Sequence, residues 1–356
     1  MGKIVFGIVG SGWRTEFFLR VARELPDLFE VCGVVTRSSD KGKELGKTWG
    51  VRSFGTIDAM LAQTSPAFVV VSVPWDIAPV AIGELHRQGM AILSETPPAP
   101  DLKGLVEINR LTESGARIQV AEQYHLQPFH AARIAVVNSG RLGKVSQVQL
   151  SVCHGYHAIS LIRKLLGIRF ENARISASSF TSPISGSPDR DGNLNEEKME
   201  VSRQVTARLD FGDKLGVYDF ADAQYFSWIR SQHLLVRGEK GEINDASVRY
   251  LKDFRTPVTF DLKRVNTGEN GNLEGLRMKG ILAGEEWVYV NPFRPCRLTD
   301  DEIAIASCLQ KMDQYVNGGE EFYSLADASQ DHYLSMMVNE ALVQNTTLVT
   351  ERQPWG

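Results

Sequence analysis

The sequence predicts an α/β domain followed by an α+β domain: an N-terminal doubly wound parallel Rossmann sheet over residues 1–123, then a C-terminal domain over 124–356 built on a large, mostly antiparallel sheet. Three observations carry that expectation. At 356 residues the chain exceeds what one core ordinarily organises, so two apolar interiors with a cleft between them are expected. Up to about residue 123, apolar β-branched runs alternate with amphipathic stretches, the rhythm of strand, helix, strand. Beyond residue 124, runs of alternating polarity follow one another without helices between them, as in an antiparallel sheet with one face less covered.

The first strand is KIVFGIV (3–9), followed by the amphipathic helix WRTEFFLRVAREL and a second strand, EVCGVV (30–35). AFVVVSV (67–73), MAILSE (90–95) and RIQVAEQ (117–123) continue the sheet, separated by helices at 77–89 and 102–115. Runs this uniformly apolar suit strands covered on both faces. In the second domain, strands are expected at 145–152, 172–180, 202–211, 214–223 and 232–238, with the helix YHAISLIRKLLG set among them. Helices at 301–319 and 325–344 close the chain and are candidates to pack back on the first domain. The Ser-, Pro-, Gly- and charge-rich segment 181–200 reads as a loop on the second sheet.

Composition narrows the function. A formal charge of -4 without a Lys/Arg run lacks the footprint of a nucleic-acid binder, so the expected partner is a small-molecule substrate. Cys32, Cys153, Cys296 and Cys308 form no C-x-x-C pair, which fits a reducing cytoplasm and predicts neither disulfide nor metal site. The opening MGKIVFGIVGSG is broken by glycines, far short of the ~20 residues that span a bilayer and unlike a signal peptide, so no membrane attachment is expected.

GIVGSGW places Gly7, Gly10 and Gly12 where the first strand gives way to a helix. There the backbone can approach a pyrophosphate and the helix N-terminus favours its charge. Ser11 and Trp13 belong to the same turn and join the expected cofactor contacts. Thr15 stands three residues beyond Gly12, where Gly or Ala is usual, and a glycine turn serving topology alone is the competing reading. A carboxylate ending the second strand would select NAD by holding the ribose hydroxyls. Here the strand ends in Thr36, Arg37 and Ser38, and a guanidinium flanked by hydroxyls suits a phosphate dianion. NADP is therefore expected over NAD, with a merely solvated Arg37 as the alternative.

Taken with VSVPWDIAPVAIGELHRQGMAILSETPPA, GRLGKV, GYHAISLIRKLLG and LLVRGEKGEI, the chain resembles the glucose-fructose oxidoreductase, inositol dehydrogenase and rhizopine-catabolism (Gfo/Idh/MocA) family over nearly its whole length. The resemblance implies hydride exchange between NAD(P) and a sugar- or cyclitol-like hydroxyl or carbonyl compound, and association as a homodimer or homotetramer through the C-terminal sheet. It also implies cofactor contacts from Val73, Pro74, Trp75, Glu95, Thr96 and Gln123, at the sheet edge where open α/β sheets bind ligands. The family's Glu-Lys-Pro signature reads Glu95-Thr96-Pro97 here, so the charged lysine is replaced. In its Asp-x-Gly-x-His-x-x-Asp stretch, Gly155 and His157 remain while Cys153 and Ser160 stand for the acids. Trp75 and Ala78 replace a further Asn and His, and the chain runs from strand 145–152 into HGYH without the longer covering excursion of relatives.

Removing hydride from an alcohol carbon requires a base for the hydroxyl proton. His157 is the candidate, with Tyr156 beside it; at the start of a helix, the macrodipole favours a neutral imidazole. The competing reading makes His157 a polar helix start without its usual companions. His154, Tyr124 and His125 are lesser candidates, expected to be structural. A catalytically silent nucleotide-binding sensor is the alternative to an enzyme.

Overall fold

The structure is a computed structural model and describes residues 2–194, 196–294 and 296–356. The first half alternates as β1 (Ile4–Val9), α1 (Thr15–Glu24), β2 (Phe29–Val35), α2 (Ser39–Trp49), β3 (Ser53–Phe54), α3 (Ile57–Leu61), β4 (Phe68–Val71), α4 (Ala78–Arg87), β5 (Ile92–Ser94), α5 (Leu102–Glu113) and β6 (Ile118–Val120). These six strands form one parallel sheet in the order β3-β2-β1-β4-β5-β6. Its central strands are buried on both faces, as continuous apolar runs such as Phe68–Val71 require. Strand order reverses between β1 and β4, and there the carboxyl ends of the strands diverge into a crevice.

The second half runs α6 (Pro128–Asn138), β7 (Val145–Ser151), α7 (Gly155–Leu166), β8 (Arg174–Ser185), β9 (Met199–Asp210), β10 (Leu215–Ala221), β11 (His233–Gly238), β12 (Gly241–Asn244), β13 (Ser247–Asp253), β14 (Thr256–Thr267), β15 (Arg277–Ala283), β16 (Glu286–Val290), α8 (Asp300–Val316), α9 (Leu325–Gln344) and β17 (Leu348–Val349). Eleven of its strands make one sheet, β16-β15-β14-β13-β12-β11-β7-β10-β9-β8-β17, antiparallel except where β10 lies parallel to β7. α7 packs on β7 and β10 through Ala158, Ile159, Leu161, Ile162 and Leu165, with α9 on its far side. α8 lies against α1 and α9 against β6, and Tyr323 and Leu325 share an apolar cluster with Ile92 and Val120 of the first sheet. A bridge between Gln119 and Ser324 adds a backbone tie at that sheet's edge.

Several elements differ from the sequence expectation. α2 is polar along most of its length and is secured by its caps: Ser38 Oγ accepts from the Lys41 amide, and Gly50 closes the helix in the left-handed region. α6 opens on Pro128, whose fixed φ suits a first helical turn. β12 to β16 escape sequence reading because residues such as Arg249, Lys252 and Asp261 leave little alternation. Segment 181–200 is shorter as a loop than expected, since β8 extends to Ser185 and β9 begins at Met199; Asn195 lies outside the described residues.

Candidate functional site

A cavity of about 1260 Å³ opens at the crevice where the first sheet's strand order reverses, and its far wall comes from α7 and the segment after β10. Ser11, Gly12 and Trp13 carry the chain from β1 to α1 along this wall, and Gly10 begins the turn. Gly10 has φ +120°, and an added Cβ would sit 1.9 Å from the Ser72 carbonyl oxygen, so only glycine lets the turn lie this close to β4. Ser11 Oγ and Thr36 Oγ1 share a hydrogen bond of 2.9 Å that joins the turn to the end of β2. Arg37 is exposed beside Ser38 on the same wall. Val73, Pro74, Trp75, Glu95, Thr96 and Gln123 also border the cavity.

Gly7 does not. It lies inside β1, where a Cβ would meet Met60 Cε at 2.7 Å, so its expected cofactor contact is corrected to a packing role between β1 and α3.

Glu95 borders the cavity with its carboxylate already engaged. Arg14 Nε donates to Glu95 Oε1 at 2.9 Å, and Arg14 Nη1 donates to Asp301 Oδ2 at 2.9 Å. Burial opposes the guanidinium charge, but the two carboxylates outweigh it and hold Arg14 more firmly protonated than in water. This bridge ties the start of α1 to the end of β5 and the first turn of α8. Thr96 lies next to it, its carbonyl receiving the Tyr156 hydroxyl at 3.5 Å. No lysine borders the cavity among the described residues, so no neighbouring ammonium takes the place Thr96 vacates.

The acid/base candidates converge on the opposite wall. His157, the third residue of α7, is 7% exposed, and its Nδ1 lies 2.6 Å from Oε2 of Glu122, which is 1% exposed. A carboxylate only accepts, so Nδ1 carries the proton and donates, which leaves Nε2 unprotonated in the neutral ring. Glu122 is held in turn by the Tyr124 amide, which donates to its Oε1 at 3.0 Å. The sequence reading that His157 lacks a carboxylate companion is thereby corrected: the acid comes from the end of β6, not from α7.

Rings surround the pair. Tyr156 and Tyr124 stand 4.5 and 4.6 Å from His157 between centroids, and His154 stands 5.2 Å away. His154 Nδ1 lies 2.6 Å from the Tyr225 hydroxyl; burial, then the adjacent His157, brings its pKa down to about 4. Burial raises the pKa of Tyr124, Tyr156 and Tyr225, so all three phenols stay protonated at neutral pH. His125 is half-buried away from the cavity beside Tyr323, and desolvation there lowers its pKa to about 3.

Glu122, Arg14, Asp301, Tyr225 and Phe226 escaped sequence reading. Glu122 alone carried a signal, as the neighbour of Gln123 at a strand's carboxyl end.

The residues fit a nicotinamide dinucleotide. Gly10 forms a close-approach turn, and Gln123 Oε1 is buried without a partner among the described residues, an acceptor suited to the cofactor's carboxamide.

Comparison with known proteins agrees with this geometry. Residues 4–124 match the oxidoreductase family with an NAD-binding Rossmann fold. A search of curated proteins found no match. Among solved structures, an oxidoreductase from Agrobacterium radiobacter in complex with NAD+, L-tartaric acid and magnesium superposes with TM-score 0.70 at 15% identity, covering 97% of this chain and 98% of that one. A candidate NADPH-dependent oxidoreductase from Desulfitobacterium hafniense gives 0.69 at 13%, covering 98% of both chains. A scyllo-inositol dehydrogenase from Lactobacillus casei gives 0.67 at 15%, again covering 98% of both. Identities this low establish the shared two-domain fold.

Proposed function

We propose, from the match of residues 4–124 to the Gfo/Idh/MocA oxidoreductase family, that the chain is an NADP-preferring oxidoreductase that interconverts a small hydroxyl compound and its carbonyl. The observation that carries this reading is the Glu122-held imidazole of His157 on the wall of the cavity that begins at the glycine turn. When bound, the nicotinamide takes up or supplies the hydride. The chain's own residues handle the proton. In oxidation, the substrate O–H gives its proton to His157 Nε2 as the carbinol carbon loses hydride, and the Glu122 carboxylate stabilises the imidazolium that results. In reduction the imidazolium returns that proton to the carbonyl oxygen. The protonated phenol of Tyr156 offers a hydrogen bond to the same oxygen, a neutral substitute for the family's ammonium.

Arg37, with Thr36 and Ser38, supports NADP over NAD through a cation for the 2'-phosphate. Exposed Phe180, Met199 and Val201 on β8 and β9 support self-association through the second sheet. The deciding experiment follows the loss of reduced cofactor absorbance with a panel of aldoses, inososes and simple ketones. Turnover abolished in His157→Ala, with cofactor affinity retained, supports the reading. A second reading, a nucleotide-binding sensor without turnover, is favoured by Thr96 and the absence of lysine among the described wall residues. Tight NADP binding with no turnover on any panel member selects it.

A further inference from the structure

We infer that the half of the cavity beside His157 accepts a flat aryl ketone or aldehyde and disfavours a polyol. This rests on the oxidoreductase reading above and names its substrate class. The wall there is an arc of rings drawn from three segments. Trp75, from the β4–α4 turn, stands 6.1 Å edge-on to Tyr156; Tyr225, from the turn after β10, stands 5.8 Å from His154; and Phe226 follows 6.2 Å from Tyr225. Trp75 is 47% exposed and Phe226 41% exposed, and both line the cavity, so each offers a ring face that a flat guest can cover.

Several polar groups along this wall are committed to one another, leaving Arg14 Nη2 and Gln123 Oε1 as buried atoms without a partner among the described residues. The Tyr225 hydroxyl is paired with His154 Nδ1, whereas the Tyr156 hydroxyl has only a 3.5 Å contact to the Thr96 carbonyl and is free to turn to a substrate oxygen. The carboxylates of Glu95 and Asp301 are bound to Arg14. Thr96 supplies no charge where an ammonium would read a hydroxyl. A polyol brought against this wall would bury more hydroxyls than the unpartnered Arg14 Nη2 and Gln123 Oε1 can serve, at roughly tenfold in affinity for each one left over. An aryl carbonyl presents one polar atom, which His157 and Tyr156 serve, and a ring face that the arc covers.

In the reduction the carbonyl carbon gains hydride from the reduced nicotinamide and its oxygen gains the proton held on His157, giving the alcohol and oxidised cofactor. The test sets acetophenone against scyllo-inosose and glucose, by calorimetric titration of the cofactor-loaded protein and by cofactor consumption. Acetophenone is expected to bind at least about tenfold more tightly than either, and Phe226→Ala and Trp75→Ala are each expected to weaken it about five- to tenfold. Equal or tighter binding of scyllo-inosose, or acetophenone affinity unchanged in both variants, overturns the inference. Turnover of scyllo-inosose without acetophenone binding overturns it too and leaves the oxidoreductase reading intact. Preferential acetophenone binding without turnover upholds the inference and removes the hydride-transfer reading.

Discussion

Replacing Glu122 by glutamine tests the proton-handling pair through a conflict that the geometry makes unavoidable. Glu122 accepts twice, at Oε1 from the Tyr124 amide at 3.0 Å and at Oε2 from His157 Nδ1 at 2.6 Å. A carboxamide has one oxygen for these two donors. If the oxygen faces His157, the ring keeps its tautomer but loses a charged acceptor. Charge-assisted bonds contribute about 1.5–3 kcal/mol against about 0.5–1.5 for neutral ones, so the imidazolium loses roughly 1–2 kcal/mol, a 5- to 30-fold fall in kcat. If the NH2 faces His157, Nδ1 must accept, the ring proton moves to Nε2, and the nitrogen that should receive the substrate proton is blocked. The loss then approaches the full value of general-base catalysis, about 10²–10⁴. Either orientation predicts at least a roughly fivefold drop in kcat, with cofactor affinity nearly unchanged because neither oxygen serves the cofactor turn. Steady-state kinetics measures the first quantity, and imidazole nitrogen chemical shifts of His157 report the tautomer without requiring turnover. A kcat within about twofold of the parent would refute the assignment of Glu122 and, with it, the base role of His157.

Other perturbations probe the remaining parts. Gly10→Ala forces a Cβ to 1.9 Å from the Ser72 carbonyl at φ +120°, so cofactor binding measured by calorimetry should be lost and stability should fall by about 1–3 kcal/mol; retained binding would show that the turn is not held as described. Arg37→Ala should raise the NADP dissociation constant about tenfold or more while changing NAD little, and equal effects on both cofactors would remove Arg37 from phosphate recognition. Stability should fall on acidification. His125 and His130 have pKa values lowered to about 3 and His154 to about 4, all first by burial, so the unfolded chain binds more protons than the native one between pH 6.5 and those values. Their contribution is fully present above pH 6.5 and declines as pH falls. Asp331, raised by burial to about 6, acts in the opposite sense, stabilising below its unfolded value of 3.8 and losing that as pH rises through 6, but it is one group against three. A thermal midpoint at pH 5 equal to that at pH 7.5 would contradict these burials; His130→Gln should lessen the dependence.

The first sheet was legible because its strands are covered on both faces, and the burial of Phe68–Val71 is written into its composition. The second was half legible: β11 alternates cleanly, whereas β14 fully buries one residue of twelve and reads as a polar stretch. The cofactor wall emerged for the same reason, since strand ends are fixed once the strands are, and Gly7 was misplaced only because a glycine inside a strand and one in the turn look alike in sequence. What the sequence withheld were pairings set by tertiary placement. Arg14 meets Asp301 across 287 positions of chain and His157 meets Glu122 across 35, and no spacing rule announces either.

Those pairings change the meaning of the departures in and just before α7. Cys153 is fully buried with its thiol pKa raised by that burial, and Ser160 donates its hydroxyl to the His157 carbonyl, so neither position can supply a charge to the imidazole. The negative charge instead comes from Glu122, which follows the last strand of the first sheet, while His157 stands on the helix packed against the second. In a helix-borne arrangement the acid and the base would move together. Here the 2.6 Å bond is buried behind the cavity wall and joins the chain leaving the first sheet to the helix packed on the second, so the imidazole is oriented by how those two elements are placed.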